Sequence, residues 1–294
     1  SSDLRTIRQI AGNNADGTIQ RSSLATLDLS DAVIVSGGEP YLVDGKRQLT
    51  TKDNEIPERA FFNCRSIRNL ILPKTITSIG DGAFGRLSRL DSLDIPTGAD
   101  KSYLFDGKAL TTTDGTEVIA VLPNNKGDYA VAKGITKVHD YAFSGCSKLT
   151  KIVLPNTITT IGDQVFSGNN ALGVIRLYTK TVPTLGRNAF TDISKSEVKL
   201  QIPSGTKNLY KRNAQWKDFD IVEFGTTVKA RSTVRPYGSE NPKFGWQLKG
   251  DYVEGAPELT CEATKTSPAG KYTIVVKRGT ITEEQVEFSN GFLI

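Results

Sequence analysis

A unit of about two dozen residues recurs through the first 225 residues of the chain, and it constrains the fold more than any other feature. In its clearest copy, Ala142-Phe-Ser-Gly-Cys146 precedes Leu149, Ile152 and Leu154-Pro155, and Ile161-Gly162 closes the unit. One such unit cannot bury its own apolar side, whereas stacked units share a continuous core. The repeat therefore predicts a solenoid in which each coil contacts mainly its neighbours.

The copies keep a nearly constant spacing. They begin, after a degenerate first copy at Leu24-x-x-Leu27-x-Leu29, at Ala60, Ala83, Ala142, Val165 and Ala189. From Ala60 onward, neighbouring copies are 23 or 24 residues apart, except for a gap of 59 residues between Ala83 and Ala142. The surplus lies in 97–132, where short apolar runs alternate with Asp-Gly pairs that are typical of hairpin turns. We therefore predict a β-hairpin insertion at about 97–132.

Each residue type in the unit has a physical reason. Alternating apolar residues point to one face of a short strand, the following proline ends the strand, and glycine permits a tight corner. The Ala-Phe pair places a small residue against the next coil and a ring in the core. We expect an α/β-type solenoid with a parallel sheet on one side and short helical turns on the other. Its single apolar spine should align Phe61, Phe84, Phe143, Phe166 and Phe190.

The open ends of such a stack need covers, and two segments fit this role. At the start, Asp3 can cap a short helix with three apolar residues on one face, Leu4, Ile7 and Ile10. At the end, 208–219 has a helix-compatible pattern with the apolar residues Leu209, Trp216 and Phe219. We predict that the solenoid domain, with both caps, occupies 1–225.

The pattern changes near residue 225, and 226–294 contains no Ala-Phe unit. This part predicts strands separated by Gly and Pro, at Thr227–Ala230, Phe244–Leu248, Glu258–Ala263, Lys271–Lys277 and Gln285–Ile294. We therefore expect a small all-β domain at 226–294. Its size is marginal but sufficient for a core of its own.

Composition excludes several classes of protein. The formal charge of +5 arises from 37 basic and 32 acidic residues, which are scattered instead of clustered on one face as in nucleic-acid binders. No apolar run approaches the ~20 residues that span a bilayer, so we expect no membrane insertion by this segment. The chain has no methionine, and either a cleaved export signal or a trimmed sequence would explain its first residues.

No residue pattern in the sequence gives a specific signal for a catalytic, cofactor or metal site, and we predict none. Cys64, Cys146 and Cys261 lack a Cys-x-x-Cys spacing, and the first two fit small buried apolar positions. His139 is the only histidine and lies at a corner of the repeat. The segment 80–85 matches Gly-x-Gly-x-x-Gly, but the repeat itself explains that match. Isolated Asp-Gly pairs are interpreted as turns rather than as a calcium loop.

The outward face of the solenoid sheet is the candidate binding surface. If the leucines point inward, the residues between them point outward. The candidate ligand-facing residues are Thr26, Asp28, Asn69, Ile71, Ser92, Asp94, Lys151, Val153, Val174, Arg176, Lys199 and Gln201, with Tyr178 as a further contact candidate. Mixed charge beside exposed Ile and Val is compatible with a binding face and also with a merely solvated one.

The first 224 residues resemble the BspA-like leucine-rich repeat family of bacterial surface proteins. The Ala-Phe-x-x-Cys, Leu-Pro and Ile-Gly elements carry this resemblance, together with Trp216-Lys-Asp-Phe219 and Ile221-Val-Glu223. The chain departs from the family pattern at Val165 and Asn169, where alanine and cysteine are usual, and at His139, where glycine is usual. The resemblance implies a leucine-rich-repeat solenoid that is exported and contacts host proteins or other cells.

The C-terminal part looks like the MBG modules of bacterial surface proteins. The matching segments are Arg235-Pro-Tyr-Gly238, Asn241-Pro242, Gly255-x-Pro257-Glu-Leu259, Ser267-Pro-Ala-Gly270-x-Tyr272-x-Ile274 and Gly291-x-Leu293. Such modules often occur in tandem, so we expect the sequence to be a piece of a longer surface protein. The family name alludes to mucin binding, which the resemblance does not establish for this chain.

Three hypotheses about function follow. The favoured one is a non-catalytic, monomeric recognition or adhesion protein at the cell surface, which binds a protein or glycan through the sheet face. It would be exported, and a lipid anchor upstream is one alternative. The second is a structural spacer or stalk in a larger surface protein. The third is an enzyme, which would have to depend on His139, the only histidine.

Overall fold

A computed structural model describes residues 2–16, 18–19, 22–96, 102–250, 253–282 and 286–294. The chain divides into two compact units. The first is the chain up to Ile202 together with Thr206–Val222, and the second is Pro203–Gly205 with Glu223–Ile294. The domain limits of 1–225 and 226–294 stay predictions.

Within its described residues, the first unit contains two short α-helices, one 3-10 turn and many short strands. The helices are α1 (Ser2–Ile10) and α2 (Lys207–Arg212), and the 3-10 turn is Lys195–Glu197. The strands are β1 (Thr26–Asp28), β2 (Gly37–Asp44), β3 (Arg47–Thr51), β4 (Glu55–Ile56), β5 (Asn69–Ile71), β6 (Ser78–Ile79), β7 (Ser92–Asp94), β8 (Tyr103–Phe105), β9 (Ala109–Thr112), β10 (Glu117–Val121), β11 (Gly127–Ala130), β12 (Lys137–Val138), β13 (Leu149–Leu154), β14 (Thr160–Ile161), β15 (Val174–Leu177), β16 (Thr184–Leu185), β17 (Lys199–Pro203) and β18 (Asp220–Phe224).

The strands that carry the Leu-x-Leu pattern form parallel ladders from coil to coil, which confirms the solenoid. β1, β5 and β7 make one three-stranded sheet, in which Leu27, Leu70 and Leu93 share a register. β11, β13, β15, β17 and β18 make a second, five-stranded sheet. Because strand residues alternate between faces, the leucines of each ladder point to the core and their neighbours point outward.

A second set of parallel strands, absent from the sequence prediction, leads into the Ile-Gly corner, as β6 ends at Ile79 before Gly80 and β14 ends at Ile161 before Gly162. β4 pairs with β6, and β10, β12, β14 and β16 pair in order. The corner needs glycine because the neighbouring backbone passes very close. A Cβ on Gly162 would lie 2.6 Å from the backbone nitrogen of Asp140, and a Cβ on Gly186 would lie 2.3 Å from that of Asp163. Each coil therefore has strands on two sides.

The Ala-Phe segments, where we expected short helical turns, form hydrogen-bonded turns that stack from coil to coil. In each Ala-Phe coil, two residues have positive φ: the residue just before the pair and the residue four positions further along, as at Gln164 (51°) and Gly168 (76°). This alternation turns backbone N–H groups toward the next coil. Phe166 N donates to Ala189 O at 2.9 Å, and Phe143 N donates to Val165 O at 3.1 Å. The turns thus form backbone hydrogen bonds between coils. An α-helix could not, because its N–H groups bond to carbonyl groups within the helix.

The predicted insertion at 97–132 divides into two parts, of which 97–101 lies outside the described residues. β8, β9 and β10 pair antiparallel in sequence order, as a hairpin insertion would. However, β10 also pairs in parallel with β12, and β11 pairs in parallel with β13. Residues 117–130 therefore form a solenoid coil that lacks the Ala-Phe unit.

The core of this unit consists of two apolar clusters, so the expected single spine is divided. Rings of Phe61 and Phe84 lie 6.2 Å apart in one cluster, whereas Phe143, Phe166 and Phe190 stack at 5.7 and 5.1 Å in the other. β10 lies at the junction. Its residues Val118 and Val121 belong to the second cluster, whereas Ile119 and Ala120 belong to the first. The inserted strands therefore separate the two stacks.

Both ends are capped, with two differences from the predicted faces. Helix α1 begins at Ser2, so Asp3 lies within its first turn instead of preceding it. Ile10 is 56% exposed, and the helix buries Arg8 instead. In α2, Leu209 is 51% exposed, whereas Tyr210 is buried together with Trp216 and Phe219. In each case the capping face is rotated by one or two residues from the face predicted by hydrophobicity alone.

The second unit is all-β, as predicted. Its strands are β19 (Thr226–Ala230), β20 (Trp246–Lys249), β21 (Glu258–Thr260), β22 (Tyr272–Lys277), β23 (Val286–Ser289) and β24 (Gly291–Leu293). They form two three-stranded sheets, in the orders β20-β19-β23 and β21-β22-β24. The last predicted strand is split at Asn290, whose Oδ1 accepts a hydrogen bond from Val276 N at 3.0 Å. This break lets the chain pass from one sheet to the other.

Candidate functional site

The N-terminal group of predicted face residues lies on β1, β5 and β7. Thr26, Asn69 and Ser92 share one register across these strands. Asn69 Nδ2 donates to Thr26 Oγ1 at 3.2 Å, and Ser92 Oγ donates to Asn69 Oδ1 at 2.8 Å. This chain of side-chain hydrogen bonds holds three successive coils in a defined arrangement at the surface.

The next register of the same sheet combines acidic and apolar side chains. Asp28, Ile71 and Asp94 lie side by side on β1, β5 and β7. Both aspartates are exposed and Ile71 is half-buried. Asp28 accepts a hydrogen bond from Ser30 N at 2.9 Å, which together with the Ser30 side chain lowers the pKa of its carboxyl group. This half of the face is therefore acidic.

The C-terminal group lies on β13, β15 and β17 and has the opposite charge. Lys151, Val174 and Lys199 share one register. Val153, Arg176 and Gln201 share another. The five residues other than Lys199 are half-buried, whereas Lys199 is exposed. The two groups belong to separate sheets, so the structure gathers the predicted residues into two patches of opposite charge.

Two further side chains lie beside the basic patch, which is formed by Lys151, Arg176 and Lys199. The Arg176 guanidinium carbon lies 5.8 Å from the ring centroid of Tyr178, which places the predicted contact residue beside the patch. Asp128 on β11 pairs with Lys151 at 3.0 Å and reduces the local positive charge. Asp128 was missed by the sequence prediction, because its coil lacks the Ala-Phe unit. The only signal available was the short strand pattern after Asn125.

His139 occupies a charged contact between coils. Its Nδ1 lies 2.6 Å from Asp81 Oδ1, its Nε2 contacts Glu117 Oε2, and Lys137 lies 3.6 Å from the same glutamate. Burial opposes the protonated ring, but the hydrogen bonds to both carboxylates outweigh it and raise the pKa of His139. Asp81 has a lowered pKa because of the hydrogen bond with His139. The arrangement joins elements on either side of the insertion, and the hydrogen-bond partners of the imidazole are two carboxylates.

Cys64 and Cys146 lie at the buried positions that the repeat predicted. Cys64 and Cys146 are buried and free, and Cys261 is free and half-buried. Burial raises the pKa of the Cys64 thiol to about 11 and that of Cys146 further. Such thiols are poor nucleophiles at neutral pH. Across the described residues, no group of three His, Cys, Asp or Glu side chains is placed to hold a metal ion.

Comparison with known families assigns the repeat domain. The profile of the BspA type leucine rich repeat region matches six copies, at residues 48–125 and 129–230. These ranges cover more than half of the chain, which therefore belongs to the BspA-type leucine-rich-repeat family. The match ends at residue 230. The MBG-like character of the C-terminal unit stays a prediction.

Solved structures of leucine-rich-repeat proteins are similar to parts of this chain. A protein from Eubacterium ventriosum is 20% identical, with a TM-score of 0.36 over 48% of this chain and 44% of its own. A leucine rich cell surface protein from Faecalibacterium prausnitzii is 19% identical, with a TM-score of 0.40 over 58% and 50%. The pneumococcal vaccine antigen PcpA is 19% identical, with a TM-score of 0.34 over 58% and 59%. The chain thus spans about half the length of these structures.

No curated protein matches the chain. A search of the described helices finds none that is long and apolar enough to cross a bilayer.

Proposed function

We propose that the chain is part of a bacterial, non-catalytic surface protein that recognises a protein or glycan of a host or another cell. The observation that carries the proposal is the pair of outward ladders on the parallel sheets. Each ladder presents side chains from successive coils at the spacing between strands, about 4.8 Å. The resemblance of the chain to a family of exported surface proteins supports an extracellular location.

The ladders suit recognition because they are rigid before a ligand arrives. The inward residues of the same strands are almost fully buried, as Ile152, Ile175 and Leu200 illustrate with 0% exposure. Their backbone is held by the parallel ladders, so the outward side chains lose little freedom on binding. Preorganisation of this kind reduces the entropic cost of association.

Charge complementarity would orient the ligand. The acidic patch contains Asp28 and Asp94, and the basic patch contains Lys151, Arg176 and Lys199. A partner with separated positive and negative groups would meet both. Long-range attraction of this kind accelerates association and weakens as salt screens it.

The test is to apply the purified protein to a glycan array and a host extracellular-protein array, and then to repeat it with Lys199→Glu. Reversal of an exposed charge in the basic patch should abolish or strongly weaken the bound signal. Lys108→Glu is the matched control, since Lys108 is an exposed lysine beside β9, on the hairpin. Absence of any ligand on both arrays would contradict the proposal and favour the spacer hypothesis. An equal loss of bound signal in both variants would show that the sheet face is not the binding site.

A further inference from the structure

An open groove runs beside the segment that follows α1. Among the described residues, Ala11, Gly12, Ile19 and Ser22 line one side, and turn residues that precede β5 and β7 line the other. Its volume is about 470 Å³. Ligand sites for small molecules occupy about 300–1,000 Å³. The groove therefore has room for a monosaccharide-sized group.

Two arginines from successive coils line this groove. Arg65 and Arg89 lie at the turns before β5 and β7, and both are exposed. Arg65 Nε donates to Asn63 Oδ1 at 2.7 Å, which orients the guanidinium. Neither arginine forms an ion pair with an acidic residue in the described part of the chain, and the described lining residues include no Asp or Glu. By contrast, Arg68 nearby is paired with Asp91 at 3.1 Å.

The walls are held in place by hydrogen bonds that cross between the two segments. Ser66 Oγ donates to Ala11 O at 3.0 Å, and Asn13 Nδ2 donates to Phe62 O. On the first wall, Ser22 Oγ contacts Ile10 O. Ser66, Ser22 and Ser88 bring hydroxyl groups to the groove. The site is thus assembled before any ligand binds.

We propose that this groove binds an anionic sugar, that is, a saccharide unit with a phosphate, sulfate or carboxylate group. Guanidinium groups form paired, charge-assisted hydrogen bonds with such oxyanions. The Ser88 hydroxyl can donate to and accept from a sugar hydroxyl, and Ser66 Oγ, which already donates to Ala11 O, can still accept. Ile19 offers an apolar surface for a ring face. The site is separate from the sheet face, so a small anionic sugar could bind whether or not the sheet face binds a partner.

The test is calorimetric titration of the intact protein with glucose 6-phosphate, glucose 6-sulfate and glucuronate, in low salt. At least one of these should bind more than tenfold more tightly than glucose. Arg65→Gln and Arg89→Gln should each weaken that binding by about tenfold, which corresponds to about 1.4 kcal/mol. Arg68→Gln is the control and should leave it unchanged. All three variants change exposed residues, and unchanged thermal melting would show that they fold.

Several results would overturn this proposal. One is no binding of any of the three sugars at millimolar concentration. Another is inorganic phosphate binding as tightly as glucose 6-phosphate, which would indicate a bare oxyanion site without sugar recognition. Equal loss of binding in Arg68→Gln and Arg89→Gln would show that general surface charge is responsible.

Discussion

At the scale of single residues, the most unusual position is Asn169. It occupies the place of Cys64 and Cys146 in the repeat and is 0% exposed. Neither its Oδ1 nor its Nδ2 has a hydrogen-bond partner in the described part of the structure. An unpartnered buried amide costs free energy on folding, because it gives up its bonds to water.

We expect Asn169→Cys to raise the free energy of unfolding by about 1–3 kcal/mol, because the unsatisfied polar atoms are replaced by a small apolar side chain. Urea denaturation of the two proteins measures the difference. Asn170→Cys, at the adjacent exposed position, should change stability little. A destabilised Asn169→Cys protein would mean that the amide is satisfied, for example by a buried water.

Several turn residues have a left-handed backbone conformation, which limits the side chains that they can carry. Asn188 has a φ of 54° and is exposed. A β-branched residue is strained at such a φ, so Asn188→Val should be about 1–3 kcal/mol less stable than Asn188→Gly. Thermal melting of the pair provides the comparison. Equal stabilities would show that the turn adopts a different backbone conformation.

His139 makes stability depend on pH. Its pKa is raised in the folded state, so its contribution is fully present below the unfolded pKa, about 6.5, and disappears as pH rises through the folded value. The groups that face the ring are Asp81, Glu117, Lys137 and Asp140. We expect the difference in melting temperature between wild type and His139→Gln to be larger at pH 6 than at pH 9. If this difference in melting temperature did not change with pH, the charge of His139 would not be the cause of the stabilisation.

At the scale of elements, the turn ladder and its phenylalanine stack hold the coils together. Phe166 is fully buried, and its ring lies between those of Phe143 and Phe190. The same residue donates its backbone N–H to Ala189 O in the next coil. One residue therefore links three coils through two kinds of contact.

Phe166→Ala should lower the free energy of unfolding by about 3–5 kcal/mol, because it leaves a cavity within the stack. Phe166→Leu should cost less, since most of the volume is kept. Equilibrium denaturation in urea measures both. A loss below 1 kcal/mol for the alanine variant would show that the ring is not a central element of the core.

At the scale of the whole molecule, stability is distributed over separate cores. The solenoid unit has two apolar clusters that meet at β10, and the second unit has its own cluster around Val228 and Ile274. Solenoids are stabilised by contacts between adjacent coils, so a local change mainly affects its own stretch. The free energy of local unfolding should therefore be similar for residues of one cluster and differ between clusters.

We expect Phe61→Ala to accelerate amide hydrogen exchange in β5 and β6 much more than in β13 and β15. Phe61 belongs to the first cluster, whereas β13 and β15 contribute Ile152 and Ile175 to the second. Phe166→Ala is the reciprocal variant and should show the opposite pattern. Uniform acceleration along all coils in both variants would mean that the two clusters open as one cooperative unit.

The candidate sites could be predicted only in part. Alternation along a strand predicted that Lys151 and Lys199 point outward, because the period of two residues is a local property, and the structure adds that they share one register through Val174. It could not show that β7 and β13 lie in different sheets. The groove with Arg65 and Arg89 was also missed, since it exists only after the segment following α1 packs on two coils.

The sequence by itself determined the solenoid, its coil length and the all-β character of the second unit. These features follow from repeated spacing and from local alternation, which neighbouring residues specify. Only the tertiary structure decided the divided core, the second set of strands, and the use of Tyr210 and Arg8 as cap residues. They depend on which residues distant in sequence come into contact, and no local pattern encodes that choice.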